Sequence, residues 1–173
     1  MNSFRIWDRV NECWLTEKDK VFVNSNGELI KVGAFGRIKT LNKQRYIVHK
    51  DVDVTDKNEN YIYEGDFVDV DMVLTGKYKG KHIKTVCTIA YVPDALTFAL
   101  LDVSTEKVYP FRNNMVLEVI GNVFDTPEIV EELNPRLASQ VKQLRTFTDL
   151  EGINDVDDDN NVDTDSEVSA DEK

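Results

Sequence analysis

The first part of the chain alternates apolar and polar positions in short runs separated by turn residues. FRIWDRV opens in this way, and KVFVNSNGELIKV places two such runs around Asn24-Ser25-Asn26-Gly27. Asn and Gly tolerate positive φ angles, so this segment predicts a β-hairpin. Together with GRIKTL and RYIVHKDVDV, the pattern predicts a small N-terminal antiparallel sheet over residues 1–54.

From Gly65 onward the alternation becomes more regular. DFVDVDMVL is followed by HIKTVCTIAYV, LTFALLD, KVYPF and MVLEVIG, with polar or proline-containing turns between them. Five strands with a long first loop and a tight turn before the last strand are typical of an SH3-like barrel, whose closure removes exposed sheet edges. The sequence therefore predicts a mainly β protein with a C-terminal SH3-like barrel over residues 55–125.

After the predicted barrel the apolar period becomes that of a helix. Thr126-Pro127-Glu128 combines a capping residue, a proline at the first helical position and an acid in the first turn. Asn134-Pro135 interrupts this helix, and PRLASQVKQLR then places Leu137, Val141 and Leu144 on one face. We expect a short C-terminal helix within residues 126–147 that packs on the barrel, or, as the alternative, one that is presented to a partner.

The formal net charge of −11 is concentrated at the C-terminus. Residues 149–173 contain eleven acidic residues and one basic residue, whereas residues 1–148 contain 21 acidic and 20 basic residues. Such a segment buries too little apolar surface to offset its ordering entropy, so we predict a disordered acidic tail over residues 148–173. The acidic run at Asp155 lacks the glycine and the bidentate glutamate of a calcium loop.

Cysteine and histidine spacing indicates no metal site and no cofactor. Cys13 and Cys87 lie far apart and form no C-x-x-C pair, and His49 and His82 do not supply the short spacing of zinc ligands. The N-terminus lacks the apolar run of a signal peptide, and no stretch reaches the length of a membrane span. We expect a cytosolic protein without membrane contact.

The segment TDKNENYIYEGDFVDV carries a cluster of acidic residues: Asp56, Glu59, Glu64, Asp66 and Asp69. Its Asp, Asn and Gly residues favour turns in which side chains accept hydrogen bonds from the local backbone. Catalysis by these carboxylates would require a third partner such as His49 or His82 within hydrogen-bond reach. We predict that the acids shape turns and that the protein is not an enzyme.

Three segments resemble the YopX family of phage and prophage proteins. TDKNENYIYEGDFV contains that family's Asp-Lys-Asn turn and Ile-Tyr-Glu-Gly-Asp core, FRIWDRVNECWL is similar to its opening, and EVIGNVFDTPEIV is similar to its closing motif. The segment from Asn134 onward extends past the family's usual end. The resemblance implies a largely β protein with an SH3-type barrel, encoded by a phage or prophage and acting in the host bacterial cytoplasm. It implies no catalytic residues.

A non-enzymatic accessory protein that binds a host or phage protein is the first functional hypothesis. The family-like motifs concentrate aromatic residues, and SH3-like barrels bind peptides in aromatic-lined grooves. Trp7, Tyr61 and Tyr63 are the candidate protein-binding residues. Small β domains also self-associate through open sheet edges, so a homo-oligomer is an additional partner hypothesis.

Nucleic-acid binding through a basic loop at residues 77–84 is the alternative. Single-strand binders combine positive charge with aromatic stacking, and this loop supplies Lys77, Tyr78, Lys79, Lys81 and Lys84. Its glycines are too close together for a nucleotide-binding P-loop. The acidic tail is expected to compete with phosphates for this loop, so deleting residues 149–173 should raise nucleic-acid affinity in a salt-dependent manner.

Overall fold

The computed structural model describes residues 4–74 and 80–145, with side chains described through residue 142. Twelve strands and two helices occur in these ranges, and every strand pair is antiparallel. The acidic tail and the first part of the basic loop lie outside the described residues. The protein is therefore mainly β, as the alternation predicts.

A four-stranded sheet in the order β2-β1-β6-β7 contains the N-terminal motif. Its strands are β1 (Phe4–Asp8), β2 (Cys13–Trp14), β6 (Tyr46–Thr55) and β7 (Tyr61–Tyr63). In the register, Trp7 lies opposite both Trp14 and Ile47, and Arg5 lies opposite His49. These residues therefore share one face of the sheet.

A three-stranded sheet in the order β3-β4-β5 packs against the other face of β1 and β6. It consists of β3 (Val21–Val23), β4 (Leu29–Val32) and β5 (Ile38–Thr40). The predicted hairpin joins β3 and β4. Leu29 and Leu41 are buried with Ile6 in the small core between the two sheets.

The third sheet has five strands in the order β11-β10-β9-β8-β12. They are β8 (Asp66–Val73), β9 (His82–Val92), β10 (Thr97–Asp102), β11 (Val108–Tyr109) and β12 (Met115–Asn122). Val68, Val70 and Met72 of β8 point into a core that also takes in Ile62 from β7. The strand positions thus follow the alternation closely.

This sheet is open and curled within the described residues, so a closed SH3-like barrel is not observed. The outer edge of β12 is occupied by a turn: the Lys57 amide donates to the Leu117 carbonyl at 2.8 Å, and the Asp56 carboxylate accepts from the Val119 amide at 3.2 Å. The opposite edge strand, β11, has only two residues. One edge is therefore covered by a turn and the other ends in a short strand, and the two edge strands do not pair with each other.

Two helices, α1 (Glu128–Leu133) and α2 (Pro135–Arg145), occupy the predicted helical segment, and the break between them lies where the sequence predicts an interruption. Asn134 separates them, and its side-chain oxygen accepts a hydrogen bond from the Leu137 amide at 3.1 Å, which caps α2. Val130 and Val141 are buried in a core with Phe67, Val103 and Phe124. Packing on the sheets, one of the two predicted placements, is thus observed for the described part of the helices.

Candidate functional site

The three family-like motifs meet at the junction between the four-stranded and five-stranded sheets. The Arg5 guanidinium forms an ion pair with Asp66, which is almost fully buried and also accepts the Tyr63 amide at 2.8 Å. The guanidinium lies 4.7 Å from the ring centre of Trp14 and 4.3 Å from that of Tyr63. Arg5 is therefore sandwiched between two aromatic rings and fixes β1 to the start of β8.

Trp7 is part of this junction and does not reach the surface. Its side chain is 5 % exposed, and its ring stacks on Phe124 with 4.7 Å between ring centres. Trp14 donates a hydrogen bond from Nε1 to Asp125 at 2.9 Å. Trp7 thus packs the closing motif against the opening motif. Because it is buried in this fold, a partner cannot touch it, and the prediction that Trp7 binds a protein is corrected.

Of the predicted acid cluster, Glu64 is in contact with His49. The His49 ring donates from Nδ1 to the Glu64 main-chain carbonyl, and Gly65 (φ +80°) passes so close that a Cβ there would stand 2.9 Å from the ring. Burial lowers the pKa of His49, assisted by the Arg5 charge and opposed by the Glu64 carbonyl. The neutral imidazole supports a tight turn and makes no described hydrogen bond to a carboxylate.

Asp56 is the turn former that the sequence predicts. Its Oδ1 accepts from the Asn58 amide at 2.8 Å and from the Asn60 amide at 2.9 Å. Burial alone would raise the pKa of Asp56, but the backbone hydrogen bonds from Asn60, Val119 and Asn58 together lower it. Its carboxylate is therefore held by the turn and the edge of β12, where it stabilises local structure.

The described part of the basic loop offers few free charges. Lys84 lies 3.5 Å and His82 lies 3.4 Å from carboxylate oxygens of Asp71, and both side chains are exposed. Lys81 is also exposed. Lys77, Tyr78 and Lys79 lie outside the described residues.

Tyr61 and Tyr63 lie on the same face of β7, two residues apart. Tyr61 is 62 % exposed, whereas Tyr63 is partly covered by Arg5. Tyr61 is thus the more exposed of these two aromatic residues, and it lies at the edge of the four-stranded sheet.

A larger apolar surface lies on the outward face of the three-stranded sheet. Register pairs place Phe22 beside Ile30 and Val32 beside Ile38 on that face. We call this surface the outer patch and define it as these four residues and Phe35, which lies at the tip of the turn between β4 and β5. Phe22, Phe35 and Ile38 are 50, 101 and 68 % exposed. Monomeric proteins rarely leave such a group of large apolar side chains in water.

Phe35 also has an unfavourable backbone conformation. Its φ of +56° lies in the left-handed region, which is uncommon for a bulky residue, and its full exposure shows that no described residue packs against its side chain. Such strain persists most often where a residue has a binding role. Leu96 also combines a positive φ with high exposure, so what distinguishes Phe35 is that its turn joins two strands whose outward positions are apolar.

The outer patch is a feature that the sequence analysis missed. A signal was present: VFV in β3 and LIKV in β4 carry apolar residues at consecutive positions, so both faces of these strands are apolar. Two apolar faces indicate two covered faces, and the described part of the chain covers one of them.

Among the described residues, no group of three His, Cys, Asp or Glu side chains is arranged to hold a metal ion. Cys13 is exposed and Cys87 is buried, and both are free thiols. The described helices include none that is long and apolar enough to span a bilayer.

Comparisons with known proteins agree with the motif assignment. Two solved structures are similar to this chain. Protein EF1440 from Enterococcus faecalis is 21 % identical with a TM-score of 0.42, and the match covers 76 % of this chain and 99 % of that one. The protein yopX from Bacillus subtilis is 20 % identical with a TM-score of 0.46, and the match covers 74 % of this chain and 98 % of that one. No match was found among curated proteins. The model of the YopX protein family matches residues 3–131, about three quarters of the sequence. The chain belongs to the YopX family.

Proposed function

We propose that this chain is a non-enzymatic accessory protein of a phage or prophage that binds another protein in the cytoplasm of the host bacterium. The observation that carries the proposal is the outer patch, in which three large apolar side chains are at least half exposed. Burying these side chains against a partner would release them from water and supply the main driving force for association.

The charge around the outer patch indicates the kind of partner. Residues 17–43, which contain the three-stranded sheet and its turns, carry six basic and three acidic residues. A partner surface with an apolar centre and an acidic rim is complementary to this arrangement, since opposite charges at a rim speed association and exclude wrong partners. The occupant that we propose is a protein with such a surface.

The test is capture of partners by the full-length protein from the host lysate, followed by measurement of affinity for the captured protein. Phe35→Gly removes the aromatic ring at a position where glycine has no backbone strain. Leu96→Gly is the matched control, because Leu96 is 80 % exposed with φ +49° in the turn between β9 and β10. We expect Phe35→Gly to weaken binding by about tenfold or more, as for an interface hot spot, and Leu96→Gly to leave it unchanged.

Equal binding by the two variants, or capture that disappears after nuclease treatment, would contradict the proposal. Phe22→Ser and Ile38→Ser extend the test across the outer patch. Tyr61→Ser tests the exposed aromatic residue on β7 that the first hypothesis names. If Tyr61→Ser loses binding while the outer-patch variants keep it, the interface lies at β7 and not at the outer patch.

Nucleic-acid binding is the second candidate, and the exposed side chains of Lys81 and Lys84 favour it. The 3.5 Å approach of Asp71 to Lys84 weakens it, because a phosphate would have to displace that carboxylate. Deletion of residues 149–173 distinguishes the two candidates: a salt-dependent gain in affinity for single-stranded DNA supports this one.

A further inference from the structure

The strand β5 (Ile38–Thr40) forms an open edge of the three-stranded sheet. It pairs with β4 on one side, and no strand of the described residues pairs with it on the other. All three of its residues are exposed, whereas Val21 and Val23 of β3, at the opposite edge, are partly buried against the small core. An unpaired edge presents backbone N–H and C=O groups to which another chain can add a strand.

The hydrogen bonds that flank β5 show which of its backbone groups face outward. The Arg37 carbonyl accepts from the Gly33 amide at 2.8 Å, and the Leu41 amide donates to the Leu29 carbonyl at 2.8 Å. The backbone groups of successive residues in a strand point to alternate sides. The odd-numbered residues from 37 to 41 therefore bond to β4, and the even-numbered residues between them face away from the sheet.

Ile38 and Thr40 are these outward-facing residues. Each has one N–H and one C=O group directed to the open side, where the described chain supplies no backbone partner. The edge thus offers two donors and two acceptors in the spacing of an antiparallel ladder.

The side chains of β5 differ in chemistry between the two faces of the sheet. Ile38 pairs with Val32, and Thr40 pairs with Ile30, so both side chains lie on the face of the outer patch. Lys39 lies on the other face, and Arg37 precedes β5 by one residue on that same side. The edge is therefore apolar on one face and positively charged on the other.

An added strand in which apolar and acidic residues alternate matches both faces. Its residues opposite Ile38 and Thr40 would extend the apolar surface of the outer patch. The residues between them would face the side of Arg37 and Lys39, which are exposed cations. Apolar pairs and pairs of opposite charge both stabilise neighbouring strands.

A second copy of this chain matches the edge less well. Antiparallel pairing of two β5 strands that joins Ile38 to Thr40 places the Lys39 side chains of the two copies directly opposite each other. Like charges in that position are destabilising, and lysine on an open edge is a common means of preventing identical chains from pairing. The charge of this edge thus favours a different chain that carries acids.

We propose that the partner of the outer patch binds by adding an extended segment to β5, and that this segment alternates apolar and acidic residues. The inference rests on the proposed function and specifies how the partner is held. Backbone hydrogen bonds to Ile38 and Thr40 give affinity, and the alternate side chains give specificity, as in other cases of strand addition.

The test uses the full-length protein and capped heptapeptides, with amide chemical shifts as the readout. In the first peptide glutamate and valine alternate, and in the second lysine replaces glutamate. We expect saturable binding of the glutamate peptide with shifts centred on Ile38 and Thr40. The lysine peptide should bind at least about fivefold more weakly, because attraction to the cations of the edge becomes repulsion.

Two N-methylated forms of the glutamate peptide test the backbone hydrogen bonds on the unaltered protein. Methyl groups on the valines block the N–H groups that would face β5 and should weaken binding by about tenfold or more. Methyl groups on the glutamates block N–H groups that would face away from β5. This matched control should bind more tightly than the valine-methylated form.

Two positions of β5 are tested by substitution. Thr40→Pro removes an outward N–H at an edge position where proline is tolerated, and it should weaken binding of the glutamate peptide by about tenfold. Thr40→Ala keeps this N–H and is the matched control. Lys39→Glu should reverse the preference between the glutamate and lysine peptides. Thermal unfolding checks that each variant is folded, and the N-methylated peptides decide if Thr40→Pro is not.

Equal affinity for the glutamate and lysine peptides, equal affinity for the two N-methylated peptides, or shifts centred away from β5 would overturn the proposal. Absence of saturable binding up to about 1 mM peptide would also overturn it. A dimer that Thr40→Pro dissociates would show that a second copy occupies the edge. Loss of captured-protein binding in Phe35→Gly but not in Thr40→Pro would overturn strand addition and leave the proposed function standing.

Discussion

The outward faces of the three-stranded and five-stranded sheets differ in chemistry although both sheets follow the same antiparallel geometry. On the five-stranded sheet, Asp69 lies opposite Glu118 and Asp71 lies opposite Lys84. Ion pairs to Lys57 and Lys84 partly neutralise these acids. On the three-stranded sheet, the corresponding positions carry the apolar residues of the outer patch.

This difference is the basis of the proposal that a partner covers the outward face of the three-stranded sheet and not that of the five-stranded sheet. A face of paired charges is stable in water, whereas an apolar face gains free energy when another surface covers it. The inner faces of both sheets are buried in their cores. The predictions below test this contrast in order of decreasing expected effect on stability.

The largest effect is expected on the inner face of the three-stranded sheet. Leu29 is 2 % exposed and Phe22, on the paired strand, is 50 % exposed on the opposite face. Leu29→Ala should lower the free energy of unfolding by about 2–5 kcal/mol through the lost burial and the cavity that it leaves. Phe22→Ala should lower it by about 1 kcal/mol or less. Urea unfolding measures both, and equal losses would show that the outer patch is covered in the free protein.

An intermediate effect is expected at two turns with the same geometry. Asn24 and Asp56 each accept, through Oδ1, the amides two and four residues later at 2.8–2.9 Å. One turn joins β3 to β4, and the other covers the edge of β12. Asp56→Ala should lower the free energy of unfolding by about 1–3 kcal/mol at pH 7, because it leaves the partly buried amides that it binds without this acceptor.

The two turns should respond differently to acid. A carboxyl group whose pKa is lowered on folding contributes stability above the unfolded value of about 3.9, and this contribution is lost as the pH falls through the folded value. The loss of unfolding free energy caused by Asp56→Ala should therefore shrink below about pH 4. The loss caused by Asn24→Ala should not change in this way, because the amide side chain of Asn24 does not titrate. Urea unfolding between pH 3 and 7 compares them; a pH-independent cost at Asp56 would refute the carboxylate's role.

The smallest effect on stability is expected at the exposed left-handed residues. Phe35→Gly and Leu96→Gly should each change the free energy of unfolding by about 1 kcal/mol or less, since relief of backbone strain offsets the flexibility that glycine adds to the unfolded chain. Thermal unfolding measures this. A loss well above that range in Phe35→Gly would mean that its ring packs against the protein.

The strands and the local turns follow directly from the sequence. The alternation across β8 and β9 defines their inner and outer faces, and the Asp and Asn pattern of residues 56–60 defines a turn. These features depend on neighbours in the chain, so local pattern is sufficient to predict them.

The features that the sequence did not reveal depend on contacts between distant segments. Trp7 is buried because Phe124, more than a hundred residues later, stacks on it. The junction of His49 with Glu64 requires that β6 lie beside the turn before β8. The break between α1 and α2 was visible as Asn134-Pro135, but the cap that Asn134 makes for α2 was not foreseen.

The turn over the edge of β12 has a consequence for the behaviour of concentrated solutions. An uncovered edge strand is a template on which further copies add one strand after another, which leads to fibres. Here the Lys57 amide already occupies the Leu117 carbonyl, and the Asp56 carboxylate holds the Val119 amide. The five-stranded sheet therefore resists edge-to-edge addition of further copies along this side.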